Sequence, residues 1–273
     1  MRKVGESVGA SLRYQAVQRM AIAAAATTLL PSLHSLGTCM LRSFVWLSLV
    51  LAMAPISLLA ADKAADWSST VKFPEKEKPV ALFNGKDTEG WEGHTDKYFK
   101  VKDGVIIARN EKENAPKVST YLLTNKNYKN FRLIFEGKLV ESGMHSGIAI
   151  WGKKHDVDGE KLSYQGHLVM FPTHWGFWDL YRRNGIYQDD GRAKKADNVG
   201  GWNKMEILAI APRIRLAVNG QLVADWTDPK PELCGEGPLG LQLHSNSVPQ
   251  EVQFRGLILS ENPVDEMITV KKE

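Results

Sequence analysis

The sequence predicts an all-β protein whose strands form a sandwich of two antiparallel sheets or a barrel. From Val80 onward, short segments alternate apolar with polar residues, as half-buried strands do. Turn-forming residues separate these segments at short intervals. No segment combines a sustained 3.6-residue period with capping residues, so long helices are not expected.

The chain begins with a leader, residues 1–61, that differs from the rest. It holds five basic residues and one acidic residue. A short positive start at Met40 precedes the apolar run "SFVWLSLVLAMA" and the small residues Ala60 and Ala61. This order is typical of a secretory signal peptide. We therefore expect translation from Met40, cleavage after Ala60 or Ala61, and export to the periplasm or exterior of a bacterial cell.

An uncleaved membrane anchor is the alternative interpretation of the leader. The apolar run is near the lower length limit for a membrane span. Pro55 and the small residues that follow it favour cleavage. We therefore expect no stable membrane insertion of the exported chain.

Charge and cysteine content exclude several classes of function. The whole chain holds 35 basic and 31 acidic residues, and residues 62–273 hold thirty of each. Nucleic-acid binding requires a clustered basic surface, so no nucleic-acid partner is expected. Cys39 belongs to the leader, which leaves Cys234 alone in the exported chain. We expect neither a disulfide framework nor a cysteine-based metal site.

Three segments follow the leader. Residues 62–79 are charged and contain prolines, which predicts an exposed arm. Residues 80–262 carry the strand patterns and form the predicted sandwich domain. Residues 263–273 remain as a C-terminal tail.

Two hairpins are predicted within the domain. Asp103-Gly104 in "KYFKVKDGVIIA" and Asn219-Gly220 in "RIRLAVNGQLVADW" each join two apolar runs. Such pairs favour type I′ turns, which match the twist of the flanking strands. The segment "NFRLIFEGKLV" alternates over its whole length and predicts a further strand.

Three histidines lie on separate predicted strands: His145 in "MHSGIAIW", His167 in "YQGHLVM" and His244 in "LQLHS". Residues two apart in a strand share a face, so each histidine is expected opposite the aliphatic residues of its strand. We expect all three on one concave face. They are candidate catalytic acid–base residues, or alternatively ligands of one divalent metal ion such as Zn²⁺. A purely structural role is the competing interpretation for each.

Further polar and aromatic side chains are candidates for carbohydrate contact. Trp151 shares the predicted face of His145, where Gly147 and Ala149 leave room for a ligand or a close backbone. Aromatic rings also stack on sugars, although core filling explains many of them equally well. The candidate substrate-binding residues are Trp151, Gln165, Asp179, Arg183, Tyr187, Gln242 and Arg255.

Common catalytic motifs are absent from the sequence. It contains no GxSxG, no phosphate-binding Walker loop and no GxGxxG after a strand. The acidic residues lie mostly in turns and form no strand motif with the paired carboxyls that ordinary glycosidases need. A serine esterase, a nucleotide enzyme and a standard glycosidase are therefore disfavoured.

A series of short motifs, in order, resembles the 3-keto-disaccharide hydrolase domain family. It comprises "ALFNGKDTEGWEG", "VKDGVIIA", "YLLTNKNYKNFRLIFEGKL", "SGIAIW", "GWNKMEI", "AVNGQLVAD", "GPLGLQLHS" and "VQFRGLIL". Each piece is weak alone, and the ordered series is specific. The resemblance spans about Val80 to Ser260. It implies a concanavalin-like jelly-roll β-sandwich and action on 3-keto-glycosides.

The implied chemistry needs no carboxylate pair. The C3 ketone acidifies the C2 proton, a base removes that proton, and the enolate expels the glycosidic oxygen from C1 before water adds. His145 replaces the family's Asn in "NSGI", and His167 replaces its Gln in a strand where Gln165 stands for its Glu. Gly256 replaces the Asn of the family's "FRN" ending. These departures predict a subgroup with an altered site.

Two functions from different classes remain open at this point. The first is an exported enzyme that cleaves 3-keto-glycosides. The second is a non-catalytic, lectin-like carbohydrate-binding module with the same sandwich. Clustered imidazoles favour the enzyme, because a binding module needs aromatic rings and amides but no acid–base groups. Dense polar and aromatic faces disfavour a third possibility, a structural surface domain.

Overall fold

Two antiparallel sheets build the described part of this protein. The computed structural model describes residues 67–141, 145–182 and 184–271. All of them fall within one compact unit, Leu59–Glu273. The leader and its signal peptide lie outside the described residues, so their expected roles stay predictions.

The described elements are fifteen strands, two short helices and three single 3₁₀ turns. The strands are β1 (Val80–Ala81), β2 (Trp91–Glu92), β3 (Phe99–Lys102), β4 (Val105–Asn110), β5 (Thr120–Tyr128), β6 (Phe131–Glu141), β7 (Ser146–Val157), β8 (Glu160–Phe171), β9 (Phe177–Asp179), β10 (Asn184–Tyr187), β11 (Asn203–Ile210), β12 (Arg213–Val218), β13 (Gln221–Thr227), β14 (Gly237–Leu243) and β15 (Gln250–Glu261). The helices are α1 (Trp67–Thr70) and α2 (Arg192–Ala196), and the 3₁₀ turns are Lys112–Asn114, Thr173–Trp175 and Pro231–Leu233.

Each sheet follows a jelly-roll order rather than the chain order. The eight-stranded sheet runs β13-β12-β11-β6-β15-β4-β3, with β1 paired to β15. The seven-stranded sheet runs β10-β9-β8-β7-β14-β5-β2. Every pair is antiparallel. The predicted all-β sandwich of two antiparallel sheets is confirmed.

The main core lies between the two sheets, because its buried side chains come from both. Phe131, Leu133 and Phe135 of β6 supply one side, as the alternation predicts. Ile148 and Ile150 of β7 supply the other. A second, smaller cluster draws only on the seven-stranded sheet and marks its outer face: Tyr121, Leu123, Ala149, Leu162, Tyr164, Leu168 and Met170.

Both predicted hairpins are present. Asp103 and Gly104 have φ of 51° and 78°, and Asn219 and Gly220 have φ of 51° and 87°. Positive φ at both central residues is what a type I′ turn requires. The turns join β3 to β4 and β12 to β13.

The segments that flank the domain pack against the outer face of the eight-stranded sheet. Arg132 is completely buried and pairs with Glu77 at 2.8 Å and with Glu206. Its guanidinium also donates to the carbonyl oxygens of Val264 and Glu266. Glu77 of the predicted arm is therefore buried against the sheet, and the C-terminal tail is hydrogen-bonded to the same arginine. The buried Arg132 holds both segments, because its positive charge and the two carboxylates compensate one another.

Among the helices of the described ranges, none is both long and apolar enough to cross a membrane.

Candidate functional site

Two of the predicted histidines meet on the outer face of the seven-stranded sheet. β14 pairs with β7 through Gly240 opposite Ala149 and Leu241 opposite Ile148. The same antiparallel register, continued to the strand ends, sets His244 opposite His145. Their ring centroids are 4.2 Å apart at an interplanar angle of 66°. This contact is the centre of the candidate site.

The environment of His145 keeps its imidazole neutral. Burial is the largest cause, and the neighbouring His244 adds to it, so that the pKa of His145 falls to about 3. A hydrogen bond with the Ser146 backbone opposes this shift. A neutral imidazole of so low a pKa is a poor proton acceptor near neutral pH, but it can still donate a hydrogen bond.

An exposed indole stands beside the histidine pair. The Trp175 side chain is 49% exposed, and its ring centroid is 5.1 Å from that of His145. Its 3₁₀ turn is fixed by Asp197, which accepts from Thr173 Oγ1 at 2.6 Å and contacts His174 Nδ1 at 3.0 Å. A large apolar ring held at the edge of a polar site is suited to stack on a sugar.

Gln242 joins the same face, as its alternation with Leu241 and Leu243 predicts. Its Nε2 donates to the Tyr121 hydroxyl at 2.9 Å, which fixes the amide. The Oε1 atom is buried and accepts no hydrogen bond from the described residues. Buried acceptors normally have a partner, so this oxygen is a candidate to receive a hydroxyl of a ligand.

The small residues beside His145 do not leave an open space. A Cβ at Gly147 would lie 2.6 Å from Leu168 Cδ1 and 2.7 Å from the Val169 carbonyl oxygen. The sequence left two explanations for these small residues, room for a ligand or close approach of a neighbouring strand. The structure supports close approach of a neighbouring strand. Gly147 is needed because β8 packs tightly against β7.

The expected convergence of three histidines is wrong, because His167 lies on the inner face of the sheet. His167 alternates with Leu168 and Met170 of the outer cluster and shares its side of β8 with Val169, which belongs to the main core. Its ring is 1% exposed and lies 5.6 Å from the Trp151 ring. The proposed three-histidine ligand set therefore does not form, and whether an ion binds at all stays a prediction.

Trp151 is also on the inner face, contrary to its predicted place beside His145. The β7–β8 register shifts between Ile150 and Lys153, and Trp151 has a φ of 53°. This bulge breaks the alternation and turns the indole into the main core, where it is fully buried and its Nε1 donates to the Lys129 carbonyl. Trp151 therefore contributes packing rather than sugar contact.

Two more candidates lie on the inner side of the seven-stranded sheet. Asp179 is 1% exposed, pairs in register with His167, and holds Arg182 at 2.7 Å. Gln165 is half-buried on the same side of β8 as His167. Neither side chain lies near His145 and His244, because strand alternation places both on the opposite face of the seven-stranded sheet.

Of the last three candidates, two lie away from the histidine pair and one is outside the described residues. The Tyr187 ring stacks on Phe177 at 4.9 Å, and its hydroxyl donates to a backbone carbonyl. Arg255 belongs to the eight-stranded sheet, where its guanidinium pairs with Glu136 and lies 4.0 Å above the Trp202 ring. Arg183 lies outside the described residues.

A groove of about 400 Å³ opens elsewhere on the seven-stranded sheet. It is lined by charged and amide side chains, including Glu92, Asn125, Lys153 and Glu236. Leu123, which belongs to the outer cluster, also lines it. The groove and the histidine pair therefore lie on one sheet face, and sequence patterns gave no indication of the groove.

The chain belongs to the 3-keto-alpha-glucoside-1,2-lyase-like domain family, whose sequence model matches residues 78–259. This match covers the predicted sandwich, residues 80–262, except for its last three residues, and confirms the family inferred from the motif series. No curated protein matches the chain. The description of the family places the protein among glycoside-acting domains.

Solved structures to which the chain is similar include a protein from Parabacteroides distasonis provisionally named a glycosyl hydrolase. It is 20% identical, with a TM-score of 0.49, over 67% of this chain and 93% of that one. A carbohydrate-binding module, CBM66 from Bacillus subtilis, is 14% identical with a TM-score of 0.44, over 66% of this chain and 99% of the module.

Proposed function

We propose that this protein is an exported enzyme that cleaves 3-keto-glycosides, with His145 and His244 at its centre. The observation that carries the proposal is the contact between these two imidazoles on the outer face of the seven-stranded sheet. Membership of the 3-keto-alpha-glucoside-1,2-lyase-like domain family supports this substrate class.

The reaction begins at C2 of the sugar. The neighbouring C3 ketone makes the C2 proton acidic, and a base takes it to form an enolate. The enolate then expels the C1 glycosidic oxygen, which leaves with the bonding pair and takes up a proton. Water adds across the resulting double bond. Such chemistry needs a base and a stabiliser of the enolate oxygen.

We assign the base to His244 and the stabiliser to His145. With a pKa of about 3, His145 is neutral throughout the working range and accepts protons poorly. A neutral imidazole still donates its N–H, and such a donor stabilises an oxyanion without supplying a charge. The adjacent His244 is then the group that removes the proton.

Trp175 and Gln242 orient the sugar in this proposal. The indole is exposed beside His145 and supplies a stacking surface. The buried Gln242 Oε1 accepts a sugar hydroxyl, while Tyr121 fixes the amide from its other end. Orientation of this kind lowers the entropic barrier to proton transfer.

The test measures turnover of an aryl 3-keto-glucoside by the full chain. The aryl alcohol released on cleavage is the signal that is recorded. His244→Asn is expected to reduce kcat by about a hundredfold or more, since general-base catalysis typically contributes that much. His155→Asn is the matched control, because His155 is an exposed histidine on the far part of β7.

Two results would overturn the proposal. One is equal loss of activity in His244→Asn and His155→Asn. The other is binding of the keto-glucoside without turnover, which would leave a lectin-like carbohydrate-binding module as the function. Melting temperatures of both variants separate loss of catalysis from loss of folding.

Export is part of the proposal. The signal-like segment after Met40 and the small residues Ala60 and Ala61 support it. Mass spectrometry of the protein from a bacterial periplasm is expected to give an N-terminus at Ala61 or Asp62. An intact leader on the accumulated protein would contradict export with cleavage.

A further inference from the structure

Three potential metal ligands meet inside the sandwich, on the opposite face of the sheet from the histidine pair. They are His167 on β8, Asp228 just after β13, and Cys234 just after the 3₁₀ turn Pro231–Leu233. One donor atom from each lies within 4.8 Å of the other two. No other group of three His, Cys, Asp or Glu side chains meets this criterion in the described ranges.

The contacts within this group are close to those around a bound ion. His167 Nε2 lies 2.5 Å from Asp228 Oδ2, and Cys234 Sγ lies 3.8 Å from the same oxygen. In a tetrahedral zinc site, ligand bonds of about 2.0–2.3 Å separate neighbouring donors by about 3.3–3.7 Å. The sulfur–oxygen distance is slightly longer than this spacing, and the imidazole would have to move away from the carboxylate by under about 1 Å.

The group is buried and incompletely satisfied. His167, Asp228 and Cys234 are 1%, 5% and 2% exposed. His167 Nδ1 is a buried atom with no hydrogen-bond partner in the described chain. The Cys234 sulfur has only long contacts, at 3.8 and 3.9 Å. Asp228 is hydrogen-bonded through Oδ2 to His167 and through Oδ1 to the Lys230 N–H, so His167 Nδ1 is the one buried polar atom of these three side chains without a partner among the described residues.

Charge balance favours a divalent cation here. A carboxylate, a thiolate and a neutral imidazole carry two negative charges, which a divalent ion cancels, so the loaded site suits a low-dielectric interior.

We infer that His167, Asp228 and Cys234 form a zinc-type metal site that fastens the segment after β13 to β8. The mixture of nitrogen, oxygen and sulfur donors selects Zn²⁺ or Co²⁺ over Mg²⁺ and Ca²⁺, which prefer oxygen alone. Three protein ligands leave the fourth tetrahedral position for water.

Cobalt is the probe for this site, because only a thiolate ligand gives Co²⁺ an intense sulfur-to-metal charge-transfer band. The experiment titrates Co²⁺ and then Zn²⁺ into the full chain carrying Cys39→Ser, which leaves Cys234 as the sole cysteine. One Co²⁺ per chain with a charge-transfer band, displaced by Zn²⁺, is the expected result. Zn²⁺ is also expected to raise the melting temperature.

Two variants identify the ligands. Cys234→Ser is expected to abolish the band, and His167→Gln to weaken Co²⁺ binding by about tenfold or more. His244→Asn is the matched control and is expected to keep the band, since His244 lies on the outer face. This result is independent of glycoside turnover, so the metal site and the proposed enzyme activity can fail separately.

Three outcomes would overturn the metal site. They are Co²⁺ binding without a charge-transfer band, a band that survives Cys234→Ser, and less than one bound ion per chain at saturation. The titration of the Cys39→Ser chain needs no substitution inside the core, so it decides whether the site binds metal even if both core variants fail to fold.

Discussion

The imidazole rings of His145 and His244 lie with their centroids 4.2 Å apart, at the ends of two paired strands. The two side chains come from positions almost 100 residues apart in the sequence, and the jelly-roll order makes β7 and β14 neighbours. A pair so placed is coupled, because a proton on one ring disfavours a proton on the other.

The first prediction is a pH-dependent stability that originates in His145. Its pKa in the folded protein is about 3, against an ordinary value of 6.5. Between these values the unfolded chain binds a proton that the folded chain does not, so stability falls as pH drops through this window. One such group changes the free energy of unfolding by about 1.4 kcal/mol per pH unit.

Urea unfolding of the wild type and His145→Asn across that window checks this prediction. In His145→Asn the free energy of unfolding is expected to depend less steeply on pH, because the variant lacks the one proton that His145 binds on unfolding. His155→Asn is the control and should keep the wild-type slope, because His155 is exposed. Identical slopes for His145→Asn and the wild type would show that His145 is not buried in this way.

The second prediction concerns Trp175. Trp175→Ala is expected to raise KM for an aryl 3-keto-glucoside by about fivefold, because a stacking contact contributes about 1 kcal/mol. The change in kcat should be small, and Trp175→Phe should restore most of the affinity. Stability should hardly change, since about half of the indole is exposed. A fall in kcat at constant KM would assign Trp175 a different role.

The third prediction concerns the buried ion pairs of Arg132. Arg132→Met leaves the carboxylates of Glu77 and Glu206 without their partner, and should cost about 3–5 kcal/mol of unfolding free energy. Arg213→Met breaks the half-exposed pair with Asp225 and should cost about 0–1 kcal/mol. Denaturant titrations measure both. Equal losses would show that the flanking segments do not depend on Arg132.

The fourth prediction tests the close approach of β7 and β8. Gly147→Ala introduces a Cβ that meets the Val169 carbonyl oxygen at 2.7 Å, and should destabilise the protein by about 1–3 kcal/mol. Gly235→Ala is the control, because a Cβ there meets no atom within 4 Å. A neutral effect of Gly147→Ala on the melting temperature would contradict this packing.

Local patterns predicted the strands and turns of this fold well. The Asp103-Gly104 and Asn219-Gly220 turns have the positive φ values that their residue types favour. The β6 alternation places Phe131 and its apolar neighbours in the core. These features depend on adjacent residues alone, which is why the sequence was sufficient.

The site was predicted only in part, because alternation does not say which face of a sheet is the inner one. His145, His244 and Gln242 share a face, and alternation along each strand predicted this correctly for Gln242 and His244. His167 sits beside Val169 on the core side, and the bulge at Trp151 reverses the pattern within one strand. Neither effect has a signature in one sequence.

The groups that sequence reasoning missed depend on long-range contacts. Trp175 was not among the predicted site residues, although the adjacent Gly176 is typical of a turn, and turns lie at the surface. Asp228 and Cys234 meet His167 from a distant part of the chain. The expectation of no cysteine-based metal site considered clusters of cysteines and not the mixed ligand set proposed here for Cys234.

The most direct test of the proposed chemistry is the kinetic isotope effect of deuterium at C2 of a 3-keto-glucoside. Proton removal from C2 is the step assigned to His244, so a primary isotope effect on kcat/KM is predicted when that step limits the rate. Exchange of the C2 proton with solvent deuterium, lost in His244→Asn, should accompany it. Cleavage of the glycosidic bond with no isotope effect and no exchange at C2 would contradict the account.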